Sequence, residues 1–163
     1  MIIRSEHTAD AAAIKAVTKA AFATAPHSDQ TEAEIIDALR AADALTISLV
    51  AEDKEKITGH AAFSPVTING NDMGWYGLGP VSVDPNHQKS GIGSALINAG
   101  LEQLKSIKAN GCVVLGDPNF YQRFGFKADK GLVLPNVQAD YFMRLVLGDT
   151  ASGEVAYHAG FGE

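Results

Sequence analysis

Cysteine is almost missing from this chain. The one present, Cys112, can make neither an internal disulfide nor a cysteine-built metal cluster. Basic residues are also short: Lys+Arg number 13 against 19 Asp+Glu, a net charge of −6. A broad positive footprint for nucleic acid is therefore absent. No apolar run approaches the ~20 residues that a membrane-spanning helix needs. The Ala-rich start, Ala9 to Ala25, is interrupted by Asp10, Lys15 and Lys19, so it lacks the continuous apolar centre of an export signal. These absences predict a cytoplasmic protein with neither nucleic acid nor membrane as partner. Internal repeats and low-complexity tracts are missing too.

What is present is globular. With 163 residues, 46% hydrophobic and 20% charged, the chain reads as a single domain over 1–163. At this size about 70% of the unfolded surface can be buried. Met1 to Arg4 reads as an edge strand. Thr8 or Asp10 is placed to cap a helix bearing Ile14, Val17, Ala21 and Phe22 at helical spacing. Ala25 to Asp29 breaks it, and a second helix spans about Thr31 to Ala42. Three strands follow: Thr46 to Glu52, Ile57 to Ile68 with Pro65 at a bulge or strand end, and Met73 to Val83. Asn69-Gly70 is a strong hairpin signal between the last two. A helix is predicted from Gly93 to about Ala109, its buried face carried by Gly93, Ile97, Gly100, Leu104 and Ile107, and its end by Asn110-Gly111. Cys112 to Leu115 reads as a strand buried on both faces. A short helix, Pro118 to Phe124, and strands starting at Gly125, Tyr141 and Glu154 complete a mixed α/β sheet with helices packed on it.

The chemistry concentrates between Leu78 and Ser94. A strand ending at Val83 runs into a glycine-containing loop, and the loop runs directly into a helix. A helix N-terminus offers unpaired N–H groups and a partial positive charge, a ready anion site. Gly91 and Gly93 let the backbone approach a phosphate, and Lys89 adds a charge beside it. The dinucleotide fingerprint fails because Leu96 replaces its third glycine. A P-loop fails because no Lys-Ser/Thr pair follows Gly93. What remains is Gln-x-x-Gly-x-Gly from Gln88 to Gly93.

Val83 to Ser94 resembles the acyl-CoA-binding signature of the GNAT superfamily of N-acetyltransferases. Phe120-Tyr121-Gln122-Arg123-Phe124-Gly125-Phe126 resembles the family's Tyr-x-x-x-Gly-Phe, in the expected order. The resemblance implies an α/β fold with a mostly antiparallel central sheet, a splayed strand pair and helices on both faces. It implies acetyl-CoA as co-substrate, with no metal. Val81, Ser82 and Val83 would pair with the pantetheine amides. Gln88, Lys89, Ser90, Gly91, Ile92, Gly93 and Ser94 would cradle the pyrophosphate. The strand at Cys112 would splay away to open the cleft.

The implied reaction is attack of a primary amine on the thioester. A backbone N–H near Val81 is a candidate donor to the oxyanion. Tyr121 occupies the general-acid position, where a phenol can protonate a thiolate of similar basicity or simply orient the sulfur. The base stays open among His60, Asp117 and a chain of water molecules. Asp117 before Pro118 is equally a good helix cap. His27 and Asp29, and the late loop Leu132 to Asp140, fall where the family builds its acceptor pocket. A non-catalytic acyl-CoA-binding module is the alternative function, and a homodimer stays open.

Overall fold

Runs rich in apolar and small residues, buried on both faces through most of β2 and β3, form three antiparallel strands at the centre of the chain: β2 (Ile47–Asp53), β3 (Lys56–Ile68) and β4 (Asn71–Val83). They are preceded by β1 (Ile2–Ser5), α1 (Ala11–Phe22) and α2 (Glu32–Ala41). After them come α3 (Ile92–Ser106), β5 (Gly111–Leu115), α4 (Pro118–Tyr121), β6 (Lys127–Ala128), β7 (Leu132–Val133), β8 (Phe142–Val146) and β9 (Gly153–Ala156). This computed structural model describes residues 1–26 and 28–162, so His27 lies outside the described residues. The sheet order is β1-β2-β3-β4-β5-β8-β6, with β9 paired to the far end of β3 and β7 beside β9. The β4–β5 and β7–β9 pairs are parallel, and the other pairs are antiparallel. The expected mixed, mostly antiparallel sheet is borne out.

The two sheet faces are covered differently. On one, Leu96, Ile97, Leu101 and Leu104 of α3 pack onto Leu49, Ala61, Phe63 and Leu78. On the other, Ile14 and Val17 of α1 and Ile36 of α2 pack onto Val50 and Ile57. Farther along that second face, Val66, Trp75, Val113, Phe142 and Val155 form a third cluster, against which Tyr157 lies. No helix among the described residues is long and apolar enough to cross a membrane.

Three local readings are corrected. Asp10 does not cap α1 with its side chain. It takes Arg4 at 2.7 Å and the His7 N–H at 2.6 Å, and the guanidinium holds its carboxyl down at about 2. The helix α3 stops at Ser106, not near Ala109. The left-handed residue is Lys108, at φ 62°, and Ile107 is 50% exposed rather than on the buried face. Asn110 instead staples the chain: its amide donates to the Met73 carbonyl at 2.9 Å and accepts the Asp149 N–H at 3.1 Å. Finally, β7 lies inside the segment expected to be a late loop.

The feature that matters for function is where β4 and β5 part. They pair only over Trp75–Leu78 against Gly111–Val114. Beyond Leu78, β4 continues to Val83 bonded to β3 alone, with its other edge open.

Candidate functional site

Which groups of β4 face the open edge follows from the ladder. The Asp84 N–H donates to the Thr58 carbonyl at 2.8 Å. In an antiparallel pair the bonding residues alternate, so Ser82 also turns its N–H and C=O toward β3, opposite His60. Val81 and Val83 turn theirs to the open edge. The Val83 carbonyl accepts the Gln88 side chain at 3.3 Å, which ties the loop to the strand end. Of the three strand residues expected to pair with a ligand, two present backbone groups there. Ser82 is 1% exposed, and its side chain lies on the α1–α2 face.

The loop delivers the chain to an uncapped helix. Gly91 precedes α3 with φ 86°, a left-handed conformation that costs a side-chain-bearing residue strain. A Cβ there would meet nothing within 4 Å, so the space above it is open. No side chain caps α3, and its first backbone bond is Ala95 N–H to Gly91 C=O. The N–H groups of Ile92, Gly93 and Ser94 therefore lack helical partners. Ile92 anchors this turn by burying its side chain under α3. Ser90 donates its hydroxyl to the His87 carbonyl and shapes the loop.

Opposite stands α4. A cleft of about 430 Å³ is lined by Val81, Val83, Gln88, Lys89, Gly91, Ile92, Gly93 and Ser94 on one side. Phe120 and Arg123 line the other, with Ala21, Phe22 and Ala25 from the end of α1. Phe120 and Arg123 escaped the sequence reading, although both lie inside the segment around Tyr121. Arg123 sits 4.7 Å over the Phe120 ring. Neither Arg123 nor Lys89 forms an ion pair among the described residues, so both cations are free to face an anion.

Tyr121 packs edge-on against Phe120 and Phe126, with ring centroids 5.0 and 6.0 Å away. Burial, with a smaller push from Cys112, raises its hydroxyl to about 12. The Cys112 thiol is fully buried and driven far up by burial, so it is no nucleophile. Among the described residues, no group of three His, Cys, Asp or Glu side chains could hold a metal ion.

The acid–base candidates fall in different places. Asp117 accepts the Asn119 N–H at 2.9 Å and caps α4. Asp29 accepts the Thr31 hydroxyl at 2.6 Å, at the entry to α2. His60 is fully buried on the α1–α2 face. Its Nε2 lies 2.8 Å from Ser48 Oγ, and burial lowers the imidazole to about 4.

Comparison with known proteins agrees with this geometry. Residues 45–128 match the acetyltransferase (GNAT) domain model. The chain is 33% identical to YhbS of Escherichia coli K12, an uncharacterised N-acetyltransferase, over 99% of this chain and 98% of that one. The crystal structure of YhbS in complex with CoA superposes with a TM-score of 0.90, covering 99% of this chain and 92% of that chain. A GNAT family acetyltransferase from Brucella melitensis, solved in complex with acetyl-CoA, is 54% identical. It superposes with a TM-score of 0.89, over 98% of this chain and 97% of that one.

Proposed function

The chain belongs to the GNAT acetyltransferases, and from that premise we propose that it moves an acetyl group from acetyl-CoA to a primary amine by direct attack on the thioester. One observation carries the reading. The open edge of β4 at Val81 and Val83 leads straight into the uncapped N-terminus of α3, across the cleft from Arg123. An extended amide chain ending in a pyrophosphate has this sequence of needs: strand-like partners, then N–H groups and positive charge.

The residues present fit such a ligand. Val81 and Val83 would hold its amides, while Ile92, Gly93 and Ser94 would bond the phosphate oxygens. Lys89 and Arg123 would balance their charge. When bound, the thioester supplies the activated acetyl group. The Val81 N–H, on the open edge where the strands part, would draw charge from the acetyl oxygen. Tyr121, still a phenol at neutral pH, would give its proton to the departing sulfur. The amine would approach from the α1–α2 side of the sheet, and the net charge of −6 favours a cationic acceptor.

Isothermal titration with CoA and acetyl-CoA, with ATP and NAD as controls, tests the cofactor assignment. Binding is expected for the CoA pair only. Gly91→Glu should abolish it, because a carboxylate would enter the open space before α3. A folded wild-type protein that binds neither CoA species would overturn the reading.

A further inference from the structure

The C-terminal stretch Tyr157-His158-Ala159-Gly160-Phe161 has no part in the site described above. It is fastened at two places on the α1–α2 face of the sheet. Ala156 of β9 pairs with Thr67 near the far end of β3. Gly160 lies so close to α2 that a Cβ there would meet Leu39 at 3.2 Å. Tyr157 stands between these anchors, with the Phe161 ring beside it, centroids 5.0 Å apart. It packs on the cluster that holds Val66, Trp75 and Val113. Fastened on both sides, the ring has little freedom to swing away.

Its position relative to the strands gives it a role. Trp75 and Gly77 are two apart on β4 and so share a face, and Trp75 belongs to the cluster that Tyr157 packs on. The Tyr157 ring closes over Gly77 in the space that a Cβ would take, and Val66 borders the same space at 3.1 Å. Gly77 pairs with Val113, one residue before the last β4–β5 pair, Leu78 with Val114. Tyr157 therefore stands where the two strands part. Tyr121 covers Gly116, just past the end of β5, in the same manner, but on the α3 face. Two tyrosines, each seated on a glycine, flank the gap from opposite faces. Burial raises the Tyr157 hydroxyl, and Cys112 and Tyr121 add smaller pushes, so that hydroxyl is within electrostatic reach of the groups across the gap.

A ligand with phosphates at the start of α3 and amides on Val83 and Val81 runs down the open edge of β4 toward this junction. Its acyl end arrives where the β4–β5 bonds begin, so it cannot continue in the plane of the sheet. A chain longer than acetyl must turn out of that plane. On the α3 side the way is filled by Leu78, Cys112, Val114 and Phe126, none more than 3% exposed. On the other side Gly77 presents no side chain, and the Tyr157 ring fills the place instead.

We infer that Tyr157 sets the acyl length: its ring is the wall that admits acetyl and refuses longer chains. The inference rests on the acetyl-CoA reading above and adds to it a specificity residue from the C-terminal segment. A butyryl chain would have to displace a ring that β9, Phe161 and the contact with α2 hold in place, and packed groups resist such overfilling.

Isothermal titration and thiol release, each run with acetyl-, propionyl-, butyryl- and hexanoyl-CoA, test the wall. The acceptors are spermidine, lysine methyl ester and a peptide with a free N-terminus. The wild type should bind butyryl-CoA about 10-fold more weakly than acetyl-CoA and use it about 100-fold less well in kcat/KM. Tyr157→Ala should bring both ratios to within about three-fold, because the methylenes then have room. Tyr157→Phe keeps the ring without its hydroxyl and should keep the wild-type ratios. A wild type that binds and uses butyryl-CoA as well as acetyl-CoA overturns the inference. So does a folded Tyr157→Ala with wild-type ratios, or a Tyr157→Phe that relaxes them as far as Tyr157→Ala does. If Tyr157→Ala does not fold, Tyr157→Leu, which keeps an apolar contact but not the width of the ring, carries the same test. A folded wild type that binds no CoA species overturns the cofactor reading instead. One that binds them but acetylates none of these amines overturns the transfer reading, and the binding ratios then decide the wall by themselves.

Discussion

Tyr121 shows how much a single side chain owes to its surroundings. Phe120 and Phe126 pack edge-on against its ring, and burial, with a smaller push from Cys112, raises its hydroxyl to about 12, well above a free phenol. It remains a proton donor across the working range. Tyr121→Phe keeps the packing and removes the proton. We expect kcat to fall by about 100-fold with the Kd for acetyl-CoA unchanged, read by thiol release and titration together. An unchanged kcat would reduce Tyr121 to orienting the sulfur. The spacing around Tyr121 was legible in the sequence because it is local. The contrast between Asp117 and His60 was not. Both are plausible bases as letters, but Asp117 spends its carboxylate on the Asn119 N–H, two residues away. His60 meets Ser48, 12 residues away, and through it Glu6, a further 42 residues along the chain. No spacing rule joins those three.

At the scale of elements, periodicity and turn chemistry carried most of the reading. The β3–β4 hairpin follows from Asn69-Gly70, whose φ values of 52° and 79° match its tight turn. The register shift beside Pro65 lies where a residue without an N–H was expected to interrupt the ladder. The end of α3 was misread because Asn110-Gly111 resembles a helix stop, while the tertiary fold uses Asn110 as a staple. The strand β7 was missed because two residues carry no period. Its parallel partner β9 lies 21 residues downstream, Leu132 opposite Gly153 and Val133 opposite Glu154. The close fit between β4 and the segment after β9 can be tested. Gly77→Ala would force its methyl into the Tyr157 ring and should cost about 1–3 kcal/mol in urea unfolding. Adding Tyr157→Ala should recover part of that loss, a non-additivity expected of residues in contact.

The whole molecule is acidic, yet the proposed phosphate site is compatible with that, because the field at the cleft is set by nearby charges rather than by the total. Lys89 and Arg123 face the cleft without ion-pair partners among the described residues, and three helix N–H groups join them. Affinity for CoA should therefore depend on salt. Raising ionic strength from about 0.01 to about 0.1 M shortens the screening length from ~30 to ~10 Å. The Kd for CoA measured by titration should rise several-fold over that range, and Arg123→Ala should flatten the dependence. A salt-independent Kd would mean that hydrogen bonds alone hold the phosphates.

By itself the sequence determined the class of fold, the order of its main elements and the loop-to-helix segment of the candidate cofactor site. These depend on neighbours in the chain: side chains alternating along strands, apolar stripes on helices, and a glycine loop opening a helix. Only the tertiary structure decided which β4 amides are free, that Arg123 lies across from Gly91, and that Glu6, Ser48 and His60 form one connected line. The free amides depend on the partner of β4, and the other two features on strands and helices brought together from distant parts of the chain. No local pattern encodes those distances, because they exist only once the sheet has closed on its helices.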